Sequence, residues 1–381
     1  MVNIKLSIGM NGSMLDEKPT GVGVYSYNLI NNLSTIITNN QQKKITVFTP
    51  TTTLLNKNIQ TIKLSSFLQS SKHGKLAAFC RFTWNTFSYP IQARKFDLLI
   101  SPTTHGSFFL NNQIITIHDL LSLHYKNISP HQRFYFKHLL PSLIQKAKLI
   151  IAVSENTKKD IIHFFKCPAD KIKVIYNGYD DDNYFPIEEN RNLIYHQYGI
   201  KKYLLAVGPT YPHKNFEMLI DTYYALDSVS KKKHPLIIAG GKEKYVDVLK
   251  KYVKKLGLEN NIYFIGYVPV YFMPSLYREA HALIFPSLYE GFGIPLLEAM
   301  ASGCPVVTSN TSSMPEVGGN AVLYFNPLDK LALLTAIQQI ISDESLRNDL
   351  IQKGLLQVKK FSWKQMAHSF NTIIDNTFIN N

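Results

Sequence analysis

Two glutamates eight residues apart, Glu290 and Glu298, bracket a glycine-bearing turn in the stretch Phe285-Pro-Ser-Leu-Tyr-Glu290-Gly-Phe-Gly-Ile-Pro-Leu-Leu-Glu298. An apolar run ends at Phe285, Gly291 and Gly293 mark a turn, and Pro295 suits the first position of a following helix. Glycines let a backbone come close to a ligand, and the free N–H groups of a helix start attract phosphate or hydroxyl oxygens. Carboxylates at such a place can accept hydrogen bonds from neighbouring hydroxyls of a sugar or ribose. The spacing alone favours a plainer reading, two acids stabilised by the helix dipole at about 0.3–1 kcal/mol each. His118 closes the apolar run 114–117 and should emerge at the carboxyl edge of a sheet, where a lone histidine is usually structural. Gly21 and Gly23 fall in the expected loop between a first strand and its helix.

Short β-branched runs separated by segments of helical period must position these groups. Strands are expected at 3–8, 44–49, 61–64, 97–100, 113–117, 149–153 and 173–176 in the first half. In the second half they are expected at 203–207, 236–239, 262–265, 282–285, 305–308 and 321–324. Strands alternating with helices imply parallel sheets with right-handed crossovers, here two doubly wound α/β domains. The polar, proline-closed segment 180–186 reads as the linker, giving domains 1–185 and 186–358. Segment 359–381 reads as a helix with Ser362 at its N-cap, expected to pack back on the first domain.

The chain of 381 residues is 45% apolar and 18% charged, enough to build full cores and to exclude wholesale disorder. No apolar run reaches the ~18 residues of a spanning helix, and the first residues do not look like a signal peptide. Cys80, Cys167 and Cys304 form no local metal or CxxC pattern and read as reduced, cytosolic thiols. The formal charge is +14, and it is unevenly placed: sixteen Lys and Arg stand against four Asp and Glu through Ile150, then 25 against 23. A polyanionic partner is therefore expected for the first domain: an anionic membrane surface, a phosphorylated substrate or nucleic acid.

The Glu290–Glu298 stretch resembles the group 1 (family 4) retaining glycosyltransferases, whose members have the GT-B fold of two Rossmann-like domains facing across a cleft. Further matches are Thr20-Gly21-Val-Gly23-Val-Tyr25, Ile117-His118-Asp119, Ala152-Val-Ser154-Glu155, Asn177-Gly178-Tyr-Asp180 and Val207-Gly208 leading to Lys214-Asn215. Phe264-Ile-Gly266-Tyr267-Val268, Leu276-Tyr277, Ala280 and Ser312-Ser-Met-Pro-Glu316-Val complete the set, which is densest from about 262 to 327.

The resemblance implies a role for each matched residue. Glu298 would hold the donor ribose hydroxyls, and Glu290 a hydroxyl of the transferred sugar. Phe292, Gly293 and Ile294 would present backbone N–H groups to that sugar and the pyrophosphate, with Leu297 also on the donor side. Gly266, Tyr267 and Val268 would lie beside the nucleobase. Lys214, with Gly208 and His213 in the same loop, would meet the pyrophosphate. Gly21 and Gly23 would bring N–H groups to the pyrophosphate and acceptor, His118 would stand near the reacting centre, and Tyr25 and Asp119 would lie on the acceptor side.

This sequence departs from the family where many relatives carry an arginine, since Pro209 or His213 stands there instead. A protonated His213 would supply part of the missing charge near pH 7; a solvated loop histidine is the level alternative.

The resemblance implies transfer of a hexose from a nucleotide sugar, GDP-mannose first, with UDP-hexose or dTDP-rhamnose close behind. The acceptor would be a glycan or a polyprenyl-diphosphate-linked glycan in surface-polysaccharide synthesis, lipopolysaccharide O-antigen or capsule. No metal and no other cofactor is expected; Asp180-Asp181-Asp182 has a metal-motif spacing but lies at the linker. A sugar-nucleotide 2-epimerase and a non-catalytic polyanion-binding protein are the alternatives, though no nucleic-acid signature appears. Segments 72–84 and 131–140 mix cations and aromatics as interfacial helices do, so the protein is expected on the cytoplasmic face of the inner membrane. The competing reading packs those aromatics inward.

Overall fold

In the second half of the chain the strands are nearly continuous apolar runs, and their burial follows from helices covering both sheet faces. The computed structural model describes residues 6–19, 21–39, 42–126, 128–186, 193–208, 211–241 and 243–378. All thirteen expected strands form: β1 (Leu6–Asn11), β2 (Lys43–Thr49), β3 (Gln60–Lys63), β4 (Leu98–Ser101), β5 (Gln113–Ile117), β6 (Leu149–Ala152) and β7 (Ile172–Val174) in the first sheet. The second sheet holds β8 (Leu204–Val207), β9 (Leu236–Ala239), β10 (Ile262–Gly266), β11 (Ala282–Phe285), β12 (Val306–Ser309) and β13 (Leu323–Phe325). Every pairing is parallel. β1 is described from Leu6 onward, and residues 3–5 of the expected run lie outside the described residues.

The chain divides into two units, Met1–Gly178 with Trp363–Asn381, and Tyr179–Ser362. The first sheet runs β3-β2-β1-β4-β5-β6-β7 and the second β10-β9-β8-β11-β12-β13. Strand order therefore reverses between β1 and β4 in one and between β8 and β11 in the other. At such a reversal the connections leave to opposite faces and open a crevice at the carboxyl ends of the strands. In the second sheet that crevice lies between the segments after Val207 and after Phe285.

The expected linker is placed differently. Segment 180–186 belongs to the second unit, where Tyr184 is buried with its ring 6.0 Å from that of Tyr277. An aromatic inside a polar run supplied the apolar contact that composition averaged away. The last helix, Trp363–Phe378, buries Trp363, Met366, Ala367, Phe370 and Ile374 and packs on the helix Gly21–Asn39 of the first unit. Lys43 on β2, almost fully buried, pairs with Asp375 and donates to Asn371 Oδ1 at 2.7 Å. With the lysine buried and the carboxylate partly open to solvent, loss of the pair would leave a covered ammonium without its counter-ion, so this contact ties the helix to the sheet.

Candidate functional site

Lys214 ends a short 3-10 turn, Pro212–Lys214, in the segment after β8. Its Nζ lies 2.6 Å from Glu290 Oε1, on the segment after β11, with both side chains mostly covered. The two sides of the crevice are thus joined by a charge-assisted hydrogen bond, shorter and stronger than a neutral one. The same ammonium stands 5.5 Å above the Phe285 ring centroid. Leu288 N–H donates to the His213 carbonyl at 2.8 Å, a second tie across the crevice.

Glu290 is held from behind by hydroxyls after β12. Its N–H donates to Ser312 Oγ at 3.1 Å, and Ser313 Oγ donates to the carbonyls of Glu290 at 3.0 Å and Phe292 at 2.7 Å. Ser312 adopts φ 57°, a left-handed conformation costly for a side chain bearing a Cβ. Ser312 and Ser313, which the sequence pattern gives no role, lock the Glu290 turn.

Gly293, at φ 110°, caps the helix Ile294–Ala301, a backbone shape that favours glycine. Pro295 takes the second helical position rather than the first, since the helix starts at Ile294. The first N–H groups of that helix lack intrahelical acceptors and carry its positive dipole end. Phe292 is buried against Phe361, with ring centroids 5.9 Å apart, so only its backbone is offered to a ligand. Leu297 is fully buried: its side chain belongs to the core and cannot contact a donor, because it lies on the covered side of the helix.

Glu298, one turn further on, accepts from Tyr277 Oη at 2.9 Å and from Tyr184. Burial pushes its carboxyl up to about 7; the tyrosine hydroxyls pull it down and the nearby Asp180 raises it further. Tyr184 sits in what composition marks as linker, so nothing in the sequence signalled its part in holding Glu298.

His213 fits neither expectation. It is buried, and that burial lowers its pKa to about 4, with Glu290 raising it and Lys214 lowering it. A neutral imidazole supplies no second positive charge near pH 7, and it is not a solvated loop group. Pro209, at the other position where relatives carry arginine, lies outside the described residues.

Gly208, Gly240 and Gly266, at φ 76°, 75° and 65°, end β8, β9 and β10 on the same carboxyl edge. Beyond Gly266, Tyr267 is 81% exposed and Val268 half-buried. They line an apolar pocket of about 260 Å³ with Ile265, Pro269, Phe272 and Leu276.

In the first unit, Gly21 and Gly23 lie in the first turn of the helix Gly21–Asn39, not in a loop before it. The partner glycine-motif residue Thr20 is outside the described residues. His118 follows β5 at the carboxyl edge as expected. Its Nε2–H donates to the Pro102 carbonyl at 2.8 Å, and burial lowers its pKa to about 4. A neutral ring that donates from Nε2 leaves Nδ1 as an acceptor. Tyr25 is fully buried, its ring edge-on to His118 at 4.6 Å, so it supports the histidine and cannot meet an acceptor. Asp119 accepts from the Leu121 N–H at 3.0 Å and shapes the turn.

The two cationic–aromatic segments also differ from expectation. Helix Ser70–Thr83 breaks at Gly74 and runs through a π-helical turn, Trp84–Ser88, into Tyr89–Ala93. Leu76, Phe79, Phe82, Phe87 and Ile91 are exposed along it, among the exposed Lys72, Lys75, Arg94 and Lys95. Arg81, however, is buried and donates to the Leu68 carbonyl at 2.6 Å, so it is no surface cation. In helix Pro130–His138, Phe136 is buried and only Phe134 stands out among the aromatics.

Among the described residues, no group of three or more His, Cys, Asp or Glu side chains is placed to hold a metal ion. Nor is any helix long and apolar enough to cross a membrane.

Residues 193–357 match the family described as "Glycosyl transferases group 1", and residues 19–183 match "Glycosyltransferase Family 4". The chain is 32% identical to O-antigen chain mannosyltransferase B of Escherichia coli, over 91% of this chain and 93% of that protein. It is 34% identical to the O-antigen chain mannosyltransferase RfbU of Salmonella typhimurium, over 71% of this chain and 74% of the other. The fold is also that of Anabaena HepE, solved with UDP and glucose, at a TM-score of 0.73 and 19% identity over 97% and 100% of the two chains.

Proposed function

The chain belongs to the group 1 glycosyltransferases, with the two Rossmann-like units of the GT-B fold, and from that premise we propose that it is a retaining mannosyltransferase of O-antigen or capsule synthesis. The observation that carries this reading is the second unit's crevice, where Lys214, Glu290 and a helix start converge at the strand-order reversal. Two curated relatives that are O-antigen mannosyltransferases favour mannose and a polysaccharide acceptor.

In this reading the nucleotide sugar lies along the carboxyl edge of the second sheet. Its base rests in the apolar pocket beside Tyr267, and its ribose hydroxyls donate to Glu298. The bond between the anomeric carbon and the diphosphate oxygen breaks as the acceptor hydroxyl oxygen bonds the same face of the sugar. The hydroxyl proton passes to the leaving diphosphate. Lys214 and the helix dipole at Gly293 oppose the charge that grows on that group, and Glu290 orients the sugar by accepting from a hydroxyl. No metal is assigned to these steps. GDP should stabilise the protein more than UDP or dTDP in a thermal-shift series, since GDP-mannose is the proposed donor. Stabilisation by UDP and not GDP would replace mannose with a UDP-hexose.

The acceptor is assigned to the first unit and taken to be lipid-linked, which places the protein on the cytoplasmic face of the inner membrane. The exposed apolar run Leu76–Phe79–Phe82 supports this: three-residue spacing puts those side chains on one helix face, with cations beside them. Each such cation near an anionic leaflet contributes about 1 kcal/mol, and the first unit carries all of the chain's positive surplus. Phe79→Ser is expected to lower co-sedimentation with phosphatidylglycerol vesicles several-fold, and high salt to weaken it in the wild type. Equal partition onto neutral vesicles at both salts would leave a water-soluble acceptor.

A further inference from the structure

The second unit has a hollow on the edge opposite the crevice. It measures about 870 Å³ and is lined by Lys201, Lys202, Lys231, Lys232, Lys233 and Arg347, with no Asp or Glu among its described lining residues. Topology explains the convergence, because these side chains precede β8 and β9, or follow the helix Lys330–Ser342, and all strands are parallel. Nothing in the composition of this half forces it. Beyond Ile150 the chain has only two more Lys and Arg than Asp and Glu, yet six cations share one hollow.

Two histidines form its floor. His234 is 92% buried, His281 precedes β11, and their ring centroids are 4.6 Å apart. His234 Nδ1 and His281 Nε2 are both buried without a hydrogen-bond partner. Two polar nitrogens left unmet in one place are costly unless a ligand or proton answers them. Burial first, then His234, Arg347 and Lys202, hold His281 down to about 4, with a hydrogen bond to the Ile341 backbone opposing them. Arg347 is fixed there, donating to the carbonyls of Ile340 and Ile341 at 2.9 and 3.1 Å. Lys231 donates to the Tyr224 carbonyl at 2.9 Å, while Lys202 and Lys233 make no ion pair among the described residues.

We infer that this hollow is a second anion site, taking a phosphate-bearing small molecule with a hydroxyl-rich body. Phosphate oxygens match the clustered cations, and Asn260, Asn261 and Tyr263 offer hydrogen bonds to hydroxyls. The site is separate from the donor crevice: Lys202 and Gly208 stand at opposite ends of β8, six residues apart, roughly 20 Å of extended chain. A phosphorylated ligand there acts as a regulator or as a second recognition element, and the site stands whether or not the donor assignment does.

Inorganic pyrophosphate titrated into the full chain, followed by NMR of histidine ring protons, tests it. Saturable shifts of the His234 and His281 rings are expected, with the His281 pKa rising as the anion binds. The double variant K202E/K233E should need at least roughly tenfold more pyrophosphate. Lys214→Ala, which alters the donor crevice, should leave these shifts unchanged. The inference fails if neither ring shifts in the wild type. It fails equally if the double variant titrates like the wild type, or if sodium chloride at matched ionic strength gives the same shifts. Co-sedimentation with phosphatidylglycerol vesicles separates the sources of phosphate. Loss of binding in K202E/K233E assigns a lipid headgroup, and unchanged binding assigns a soluble phosphate.

Discussion

Lys214→Ala is expected to lower kcat by roughly 10²–10³ while the protein still folds, the loss typical of one preorganised charge facing a leaving group. Two features set that expectation. The ammonium is already held at 2.6 Å by Glu290 and mostly screened from water, so no reorganisation is needed when charge develops on the diphosphate. Its partner loses a cation in the variant, so Glu290 is also freed to turn away from the sugar. Because Glu290 is left without its cation in a mostly covered place, the melting temperature should fall as well, though not enough to unfold the chain. Steady-state kinetics below the melting temperature of the variant decide the matter, and near-normal turnover of the folded protein would remove Lys214 from the site.

Glu298→Gln should weaken donor binding and stabilise the protein, in a pH-dependent way. Burial raises the folded carboxyl from 4.5 to about 7. Below about pH 4.5 the group is neutral in folded and unfolded chains alike, and the burial penalty is absent. Between there and pH 7 the unfolded chain gives up its proton first, so stability falls as the pH rises. At 1.36 kcal/mol per pH interval of one, the shift amounts to about 3 kcal/mol above pH 7. Glutamine carries no such penalty. The variant should melt with the wild type near pH 4.5 and several degrees above it near pH 8. Donor affinity should nevertheless fall about 10- to 100-fold, since an amide accepts ribose hydroxyls less well than a carboxylate. Equal melting of the two proteins near pH 8 would mean that Glu298 is better solvated than its surroundings indicate.

The strands were readable because buried parallel strands need little from elsewhere: β8, β9 and β11 are runs of Leu, Ile, Val, Ala and Phe with no polar alternation to mistake. Glycines and a proline marked the turn that carries Glu290 and Glu298, but by themselves they favoured two dipole-stabilised acids; the resemblance to the family is what gave the pair a role. Burial was harder. Tyr25 and Leu297 sit in register with functional neighbours, and only the packing shows that they face inward. His213 looked like a loop histidine with a charge to lend, but the turn Pro212–Lys214 folds it under the crevice, where desolvation takes the proton away. Arg81 likewise belongs by composition to a cationic face, yet it spends its donors on the carbonyl of Leu68 and the hydroxyl of Ser70.

The helix Trp363–Phe378 makes the first unit discontinuous, and that has a consequence during translation. Synthesis runs from amino to carboxyl terminus, so Lys43 leaves the ribosome 328 residues before Asn371, its hydrogen-bond acceptor. Until then the apolar side of Gly21–Asn39 has no cover from this helix, and a buried lysine lacks its counter-ion. The second unit, continuous over Tyr179–Ser362, is complete sooner. The nascent first unit therefore waits in an open, chaperone-accessible form while its successor closes. A chain cut off just after Ser362 has its second unit whole while the first lacks the cover of this helix and exposes an apolar groove, a mark that chaperones and proteases can read.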